Sequence, residues 1–160
     1  MGSRSHVLSF RGITRLTIDN KGRVALPKHQ RDRLEQGGVT ELVISLDPDR
    51  CLVVYPAPLF YDLERQIMAL SKSYPYNKML QQTMVAFATP FELDSAGRML
   101  LPADLRAEAG LDKKVVLIGQ GKRLELWDER SWVDVSASWD ETRKSTPADE
   151  LPPGVADIEF

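Results

Sequence analysis

The chain has 160 residues, room for one domain with a substantial core or for two small halves sharing one. Its composition, 42% hydrophobic and 28% charged, is that of a soluble globular protein, and no apolar run approaches the roughly 20 residues of a membrane span. The net charge of −2 hides an asymmetry: residues 1–82 carry 12 Lys and Arg against 8 Asp and Glu, and residues 83–160 carry 9 against 15, so an acidic whole leaves room for a basic surface.

Met1 to His6 lack the apolar run of a secretory signal and are set aside from the fold argument. Val7 to Ile18 is β-rich, with Gly12 as an interruption, and predicts a short opening strand and a second one ending at Ile18. Asp19-Asn20-Lys21-Gly22 is a turn, with Asp at its first position and Gly at its fourth. Arg23 to Leu26 alternates and stops at Pro27, which suits the start of a helix over Lys28 to Gln36, anchored by Leu34 and ended by Gly37-Gly38. Glu41 to Leu46 and Cys51 to Tyr55 read as a strand pair around the turn Asp47–Arg50. The first unit is therefore β-β-α-β-β.

A helix over Pro58 to Leu70 follows, with Leu59, Leu63, Ile67 and Leu70 as its apolar stripe. Asn77 is the expected cap of a second helix reaching about Ala86, with Met79, Leu80, Thr83, Met84 and Phe87 inward. Phe87 to Leu93 then reads as strand, Asp94 to Gly97 as turn and Arg98 to Leu101 as strand. Pro102 opens a helix ended by Gly110. Lys114 to Ile118 and Arg123 to Trp127 form the last strand pair. Asp128 fits the cap of a helix carrying Trp132, Val135 and Trp139, and the Pro- and acid-rich chain from Arg143 is expected to be a mobile tail.

The second half repeats the first. Ile18-Asp-Asn-Lys-Gly-Arg-Val-Ala-Leu-Pro27 returns 75 positions later as Leu93-Asp-Ser-Ala-Gly-Arg-Met-Leu-Leu-Pro102. The offset falls to 72 by the last strand pair, which places a three-residue shortening in the helix–strand loop. The expected divisions are 7–56 and 87–140 for the two units, 57–86 for the connecting helices and 141–160 for the tail.

Turn chemistry accounts for Asp19, Gly22, Asp94 and Gly97. It does not account for Arg23 and Arg98. Each Arg is either an ion-pair partner of the Asp four positions earlier, a contact that contributes little when exposed, or a fork-shaped donor to phosphate or a guanine edge. On turn chemistry alone the ion pair is the simpler account. The first turn is the more basic, with Lys21 beside it and Arg11 and Arg15 on the incoming strand, where the second has Ala96 and Phe91-Glu92.

Other chemistry has little support. The two histidines, His6 and His29, lie far from any metal-ligand spacing, and Cys51, the only cysteine, reads as a small core residue. Dinucleotide, phosphate-loop and nucleophile-elbow patterns are absent, as is a carboxylate pair placed for acid–base work, so no catalytic residue, cofactor or small-molecule ligand is expected.

Two Asp-x-x-x-Arg signatures, each followed by a Pro-started helix, resemble the MraZ family of bacterial transcriptional regulators with tandem AbrB-like units. Phe10-Arg-Gly12, Leu52-Val-Val-Tyr-Pro56 and Leu124-Glu-Leu-Trp127 extend the likeness over residues 10–140. The resemblance implies an α+β, β-rich fold, a pseudo-symmetric swapped-hairpin barrel with flanking helices. It also implies a ring-shaped homo-oligomer in the cytoplasm, associated with the nucleoid. Such a ring would bind direct repeats in double-stranded DNA upstream of division and cell-wall genes, its own promoter region included. Arg23 is the DNA-binding position carried over first, then Lys21 and Arg98. The alternative from another class is a ring-forming scaffold whose turns contact protein.

Overall fold

The structure, a computed structural model, describes residues 8–160. The expected opening strand at Val7 starts outside these residues. β1 (Phe10–Thr17) is one continuous strand rather than two short ones. Gly12 explains the difference. Its φ is +106°, and a Cβ there would stand 3.2 Å from His29 Nε2, so only glycine lets the strand pass beneath the first helix without leaving its ladder.

β2 (Arg23–Ala25), α1 (Lys28–Gln36), β3 (Leu42–Leu46) and β4 (Leu52–Pro56) complete the first half. α2 (Ala57–Met68) and α3 (Pro75–Leu80), which runs into a π turn over Gln81–Val85, connect it to the second. There follow β5 (Thr89–Phe91), β6 (Arg98–Leu100), α4 (Ala103–Glu108), β7 (Lys114–Gly121) and β8 (Arg123–Asp128).

The halves exchange their opening strands. β1 pairs along its whole length with β7 of the second half, and β5 pairs with β3 of the first, giving the antiparallel order β1-β7-β8-β4-β3-β5. A separate ribbon pairs β2 with β6. The registers are mutually symmetric: Val24 faces its own repeat equivalent Met99, and Arg23↔Leu100 mirrors Ala25↔Arg98. β1 and β5 remain as sheet edges, and no described ladder closes the strands into a barrel.

One apolar cluster fills the space between sheet, ribbon, α1 and α4, drawing Leu34, Ile44 and Val54 from the first half and Met99, Leu105 and Leu117 from the second. A second cluster on the other sheet face holds Val43, Val53 and Tyr55 against Phe60, Ile67 and Met84. β3 and β4 are thus covered on both faces, which is why they read as nearly continuous apolar runs, interrupted only by Ser45, whose hydroxyl donates to the Met84 carbonyl at 2.6 Å.

Several boundaries differ from expectation. The repeat shortens in two places. Pairing matches β3 to β7 at an offset of 73, so the helix–strand loop loses two residues. The hairpin loses the third, since Pro48-Asp49-Arg50 is matched by Gly121-Lys122. α2 buries Ala57, Phe60 and Ile67, and Leu70 is exposed: the stripe is rotated toward Phe60, whose ring packs 6.0 Å from that of Tyr55. α3 starts at Pro75, and Asn77 instead donates through Nδ2 to the Ser71 carbonyl at 3.1 Å. β5 is shorter than Phe87 to Leu93, because Pro90 has no N–H to donate and fits only an edge.

α5 (Glu129–Ala137) begins directly after Asp128. Residues 130–160 form a unit of their own, comprising most of α5, α6 (Trp139–Lys144) and two 3-10 turns at Ala148–Glu150 and Val155–Asp157. Within it Trp132 and Trp139 pack edge-on at 5.6 Å.

Candidate nucleic-acid interface

Each signature turn is closed by its aspartate. Asp19 Oδ1 accepts from the backbone N–H of Lys21 and of Arg23, both at 2.9 Å, and Oδ2 accepts from Arg23 Nε at 2.9 Å. The second turn repeats the pattern: Asp94 Oδ1 accepts from Ala96 and Arg98 N–H at 2.9 Å, and Oδ2 from Arg98 Nε at 2.8 Å. Gly22 and Gly97 supply the left-handed fourth position, at φ +80° and +76°. Hydrogen bonds from the backbone of Arg23, and then from its side chain, outweigh burial and hold the Asp19 carboxyl below its usual range; Arg98 does the same for Asp94.

The ion-pair account of Arg23 and Arg98 is therefore met, but it uses only Nε. The terminal Nη groups of both residues have no hydrogen-bond partner among the described residues. The carboxylate fixes the guanidinium and leaves its outer edge free. Successive strand residues point to opposite faces, so with Val24 and Met99 in the core, Arg23, Ala25, Arg98 and Leu100 share the outward face of the ribbon. There the arginines stand diagonally, 26% and 34% exposed, around Leu100, which is 62% exposed.

Lys21 is exposed at the tip of the first turn. Arg11 and Arg15 are not brought to the ribbon. Gly12 and Leu16 face the α1 side of the sheet, so Arg11 and Arg15 leave from the opposite face, beside the exposed Ile13. Arg15 pairs with Glu129 at 3.3 Å. Period-2 alternation along β1 carries the signal for this separation, once β1 is one strand.

Two arginines escaped the sequence reading. Arg106 of α4 lies against Gly22, and Arg31 of α1 lies against Gly97. They are 75 positions apart, so aligning the two helices as well as the two turns would have found them.

Elsewhere, Arg123 joins Asp47 at 3.1 Å, Tyr55 at 3.0 Å and Glu125 at 2.6 Å, a network that ties both hairpins together. Trp127 completes it by donating to Glu125 at 2.9 Å. Burial, followed by the nearby Glu125 and Asp47, pushes the Cys51 thiol up, which keeps it protonated and unreactive. No described helix is long and apolar enough to cross a membrane.

Comparison with known proteins places the chain in a family. The family model described as "MraZ protein, putative antitoxin-like" matches twice, over residues 9–83 and 84–151. The "Transcriptional regulator MraZ" of Thioalkalivibrio sulfidiphilus is 47% identical over 130 residues, covering 81% of this chain and 87% of its own. That of Halorhodospira halophila is 43% identical over 146 residues, 91% and 95% of the two chains. That of Methylococcus capsulatus is 37% identical over 151 residues, 94% and 99%.

Proposed function

The chain belongs to the MraZ family, and on that premise we propose that it is a DNA-binding transcriptional regulator whose outward ribbon face meets the duplex. The observation that carries the reading is the state of Arg23: Nε is held by Asp19 and both Nη groups are open. A guanidinium so fixed pays little entropy on engaging a phosphate or the O6/N7 edge of guanine. A two-stranded ribbon is also a shape that the major groove admits. Lys21 adds a phosphate contact at the same turn. Arg98 gives the second turn a weaker version of the site, while Arg11 and Arg15, on the other sheet face, serve a separate contact.

One subunit offers few contacts. In this proposal subunits assemble into a ring, and turns repeated around its rim engage successive direct repeats, which raises avidity without new contacts. The DNA is the region upstream of division and cell-wall genes, including the protein's own promoter, and the protein resides in the cytoplasm at the nucleoid. The exchanged strands and the ribbon would together make the swapped-hairpin barrel. The chain has no catalytic role in this reading.

A mobility-shift titration on the DNA upstream of its own gene, at two salt concentrations, tests the proposal. Binding that weakens steeply with salt and is lost in Arg23→Ala, with light-scattering mass unchanged, is the expected result. Absence of binding at low salt would favour the protein-contacting scaffold instead.

A further inference from the structure

We infer that Arg31 and Arg106 belong to the anion-binding surface, each completing the turn of the opposite half with a second guanidinium. This rests on the DNA-binding reading above and extends it to residues on the two Pro-started helices. Arg106 reaches the first turn: a Cβ on Gly22 would stand 3.1 Å from its Cζ and Nη2. Arg31 reaches the second: a Cβ on Gly97 would stand 2.5 Å from its Cδ and 3.0 Å from its Nε. At Gly97 only glycine permits the approach, whereas at Gly22 a Cβ would press on the flexible end of Arg106 at a left-handed φ of +80°.

Both side chains are anchored from behind by neutral groups. Arg31 Nε donates to the Leu26 carbonyl at 3.1 Å and Arg106 Nε to the Leu101 carbonyl at 3.3 Å. The N–H groups of Leu26 and Leu101 in turn donate to Gly97 and Gly22 of the opposite turns, at 3.0 and 2.9 Å. Each arginine is thereby tied to the turn it covers.

Charge is what this arrangement adds. At each signature the Arg is neutralised by its own Asp, at 2.9 Å for Arg23 and 2.8 Å for Arg98. The surplus positive charge at the first turn therefore comes from Lys21 and Arg106, and at the second, where Ala96 replaces the lysine, from Arg31. Neither Arg31 nor Arg106 makes an ion pair among the described residues, whereas Arg50 pairs with Glu108 and Arg123 with Asp47 and Glu125. Glu35 and Glu92 line the same cleft as Arg31 without pairing with it, which leaves the second turn the weaker of the two. A phosphodiester at either turn would meet one guanidinium from each half of the chain.

The test is the salt dependence of binding by the full chain to a labelled duplex of its own upstream region, from about 50 to 200 mM NaCl. Arg106→Gln should lower the slope of log K against log salt by about 1 per engaged turn, Arg31→Gln by no more, and Arg106→Lys should retain it. Light-scattering mass and thermal midpoint accompany every variant. Weakened binding with an unchanged slope, or a slope that Lys does not retain, overturns the inference and leaves Arg106 a packing residue. If the wild type binds with a steep slope, Arg23→Ala abolishes binding and both Gln variants keep the slope, this inference alone falls. A wild type that does not bind takes the DNA-binding reading down with it.

Discussion

The turns at Asp19 and Asp94 share their internal bonds and differ in their neighbours. In each, one carboxylate oxygen takes two backbone N–H groups and the other holds an arginine Nε, all between 2.8 and 2.9 Å. Around them, Lys21 is replaced by Ala96, and Arg106 meets Gly22 with the end of its side chain where Arg31 meets Gly97 with its stem. Asp and Gly thus set the shape, which duplication preserved. The charge is set by positions the shape does not constrain, and there the copies diverged.

Removing the guanidinium separates the two most sharply. Arg23→Ala should weaken binding to upstream DNA by about 100-fold or more, the upper end for one fixed bidentate contact and higher with avidity, and Arg98→Ala by about 10-fold. Equal losses in a titration would show that the turns are functionally equivalent despite their charge. The glycines come next. Gly97→Ala places a Cβ 2.5 Å from the Arg31 stem at a left-handed φ and should cost about 2–3 kcal/mol in urea unfolding; Gly22→Ala, facing a flexible guanidinium at 3.1 Å, should cost about 1–2 kcal/mol. The reverse order would mean that Arg106 is the more rigid clamp.

A charge transplant has a smaller effect. Ala96→Lys should strengthen DNA binding a few-fold and steepen the salt slope by about 1 per engaged turn. An unchanged slope would mean that the second turn stays off the DNA. The smallest effect is in acid. Asp19 and Asp94 have folded-state values below the ordinary 3.8, so each adds stability that is fully present above that value and is lost as pH falls through the lower folded one. Asp19→Asn with Asp94→Asn should flatten the pH dependence of stability below about pH 4, read as the urea midpoint at a series of pH values.

Much of this was legible because it is local. The turns, the Pro-started helices and the buried strand pairs follow from residues within a few positions of one another, and the repeat from identical spacing in two copies 75 positions apart. The buried stripe of α2 lies off the face its spacing predicts because Phe60 turns inward to meet Tyr55, a partner outside the helix. The repeat offset shows a three-residue shortening, but only strand pairing divides it between the helix–strand loop and the hairpin. Arg23 stands out in the sequence because turn chemistry leaves it unexplained and the family resemblance carries it over. Arg31 and Arg106 were passed over because their meaning lies in what they touch across the molecule.

Local residues alone specify the repeat unit and the conformation of each turn, since hydrogen bonds spanning four residues and a left-handed glycine need no distant partner. The sequence by itself also determined the family. Tertiary structure alone decided which half each strand joins. Each opening strand finds its ladder in the opposite half, β1 on β7 and β5 on β3, and the ribbon sets Val24 against Met99. Burial of one shared core fixes those choices, because the inward faces of both halves must close on the same space. That closure turns Arg11 and Arg15 away from the ribbon and lays each helix arginine on the other half's glycine.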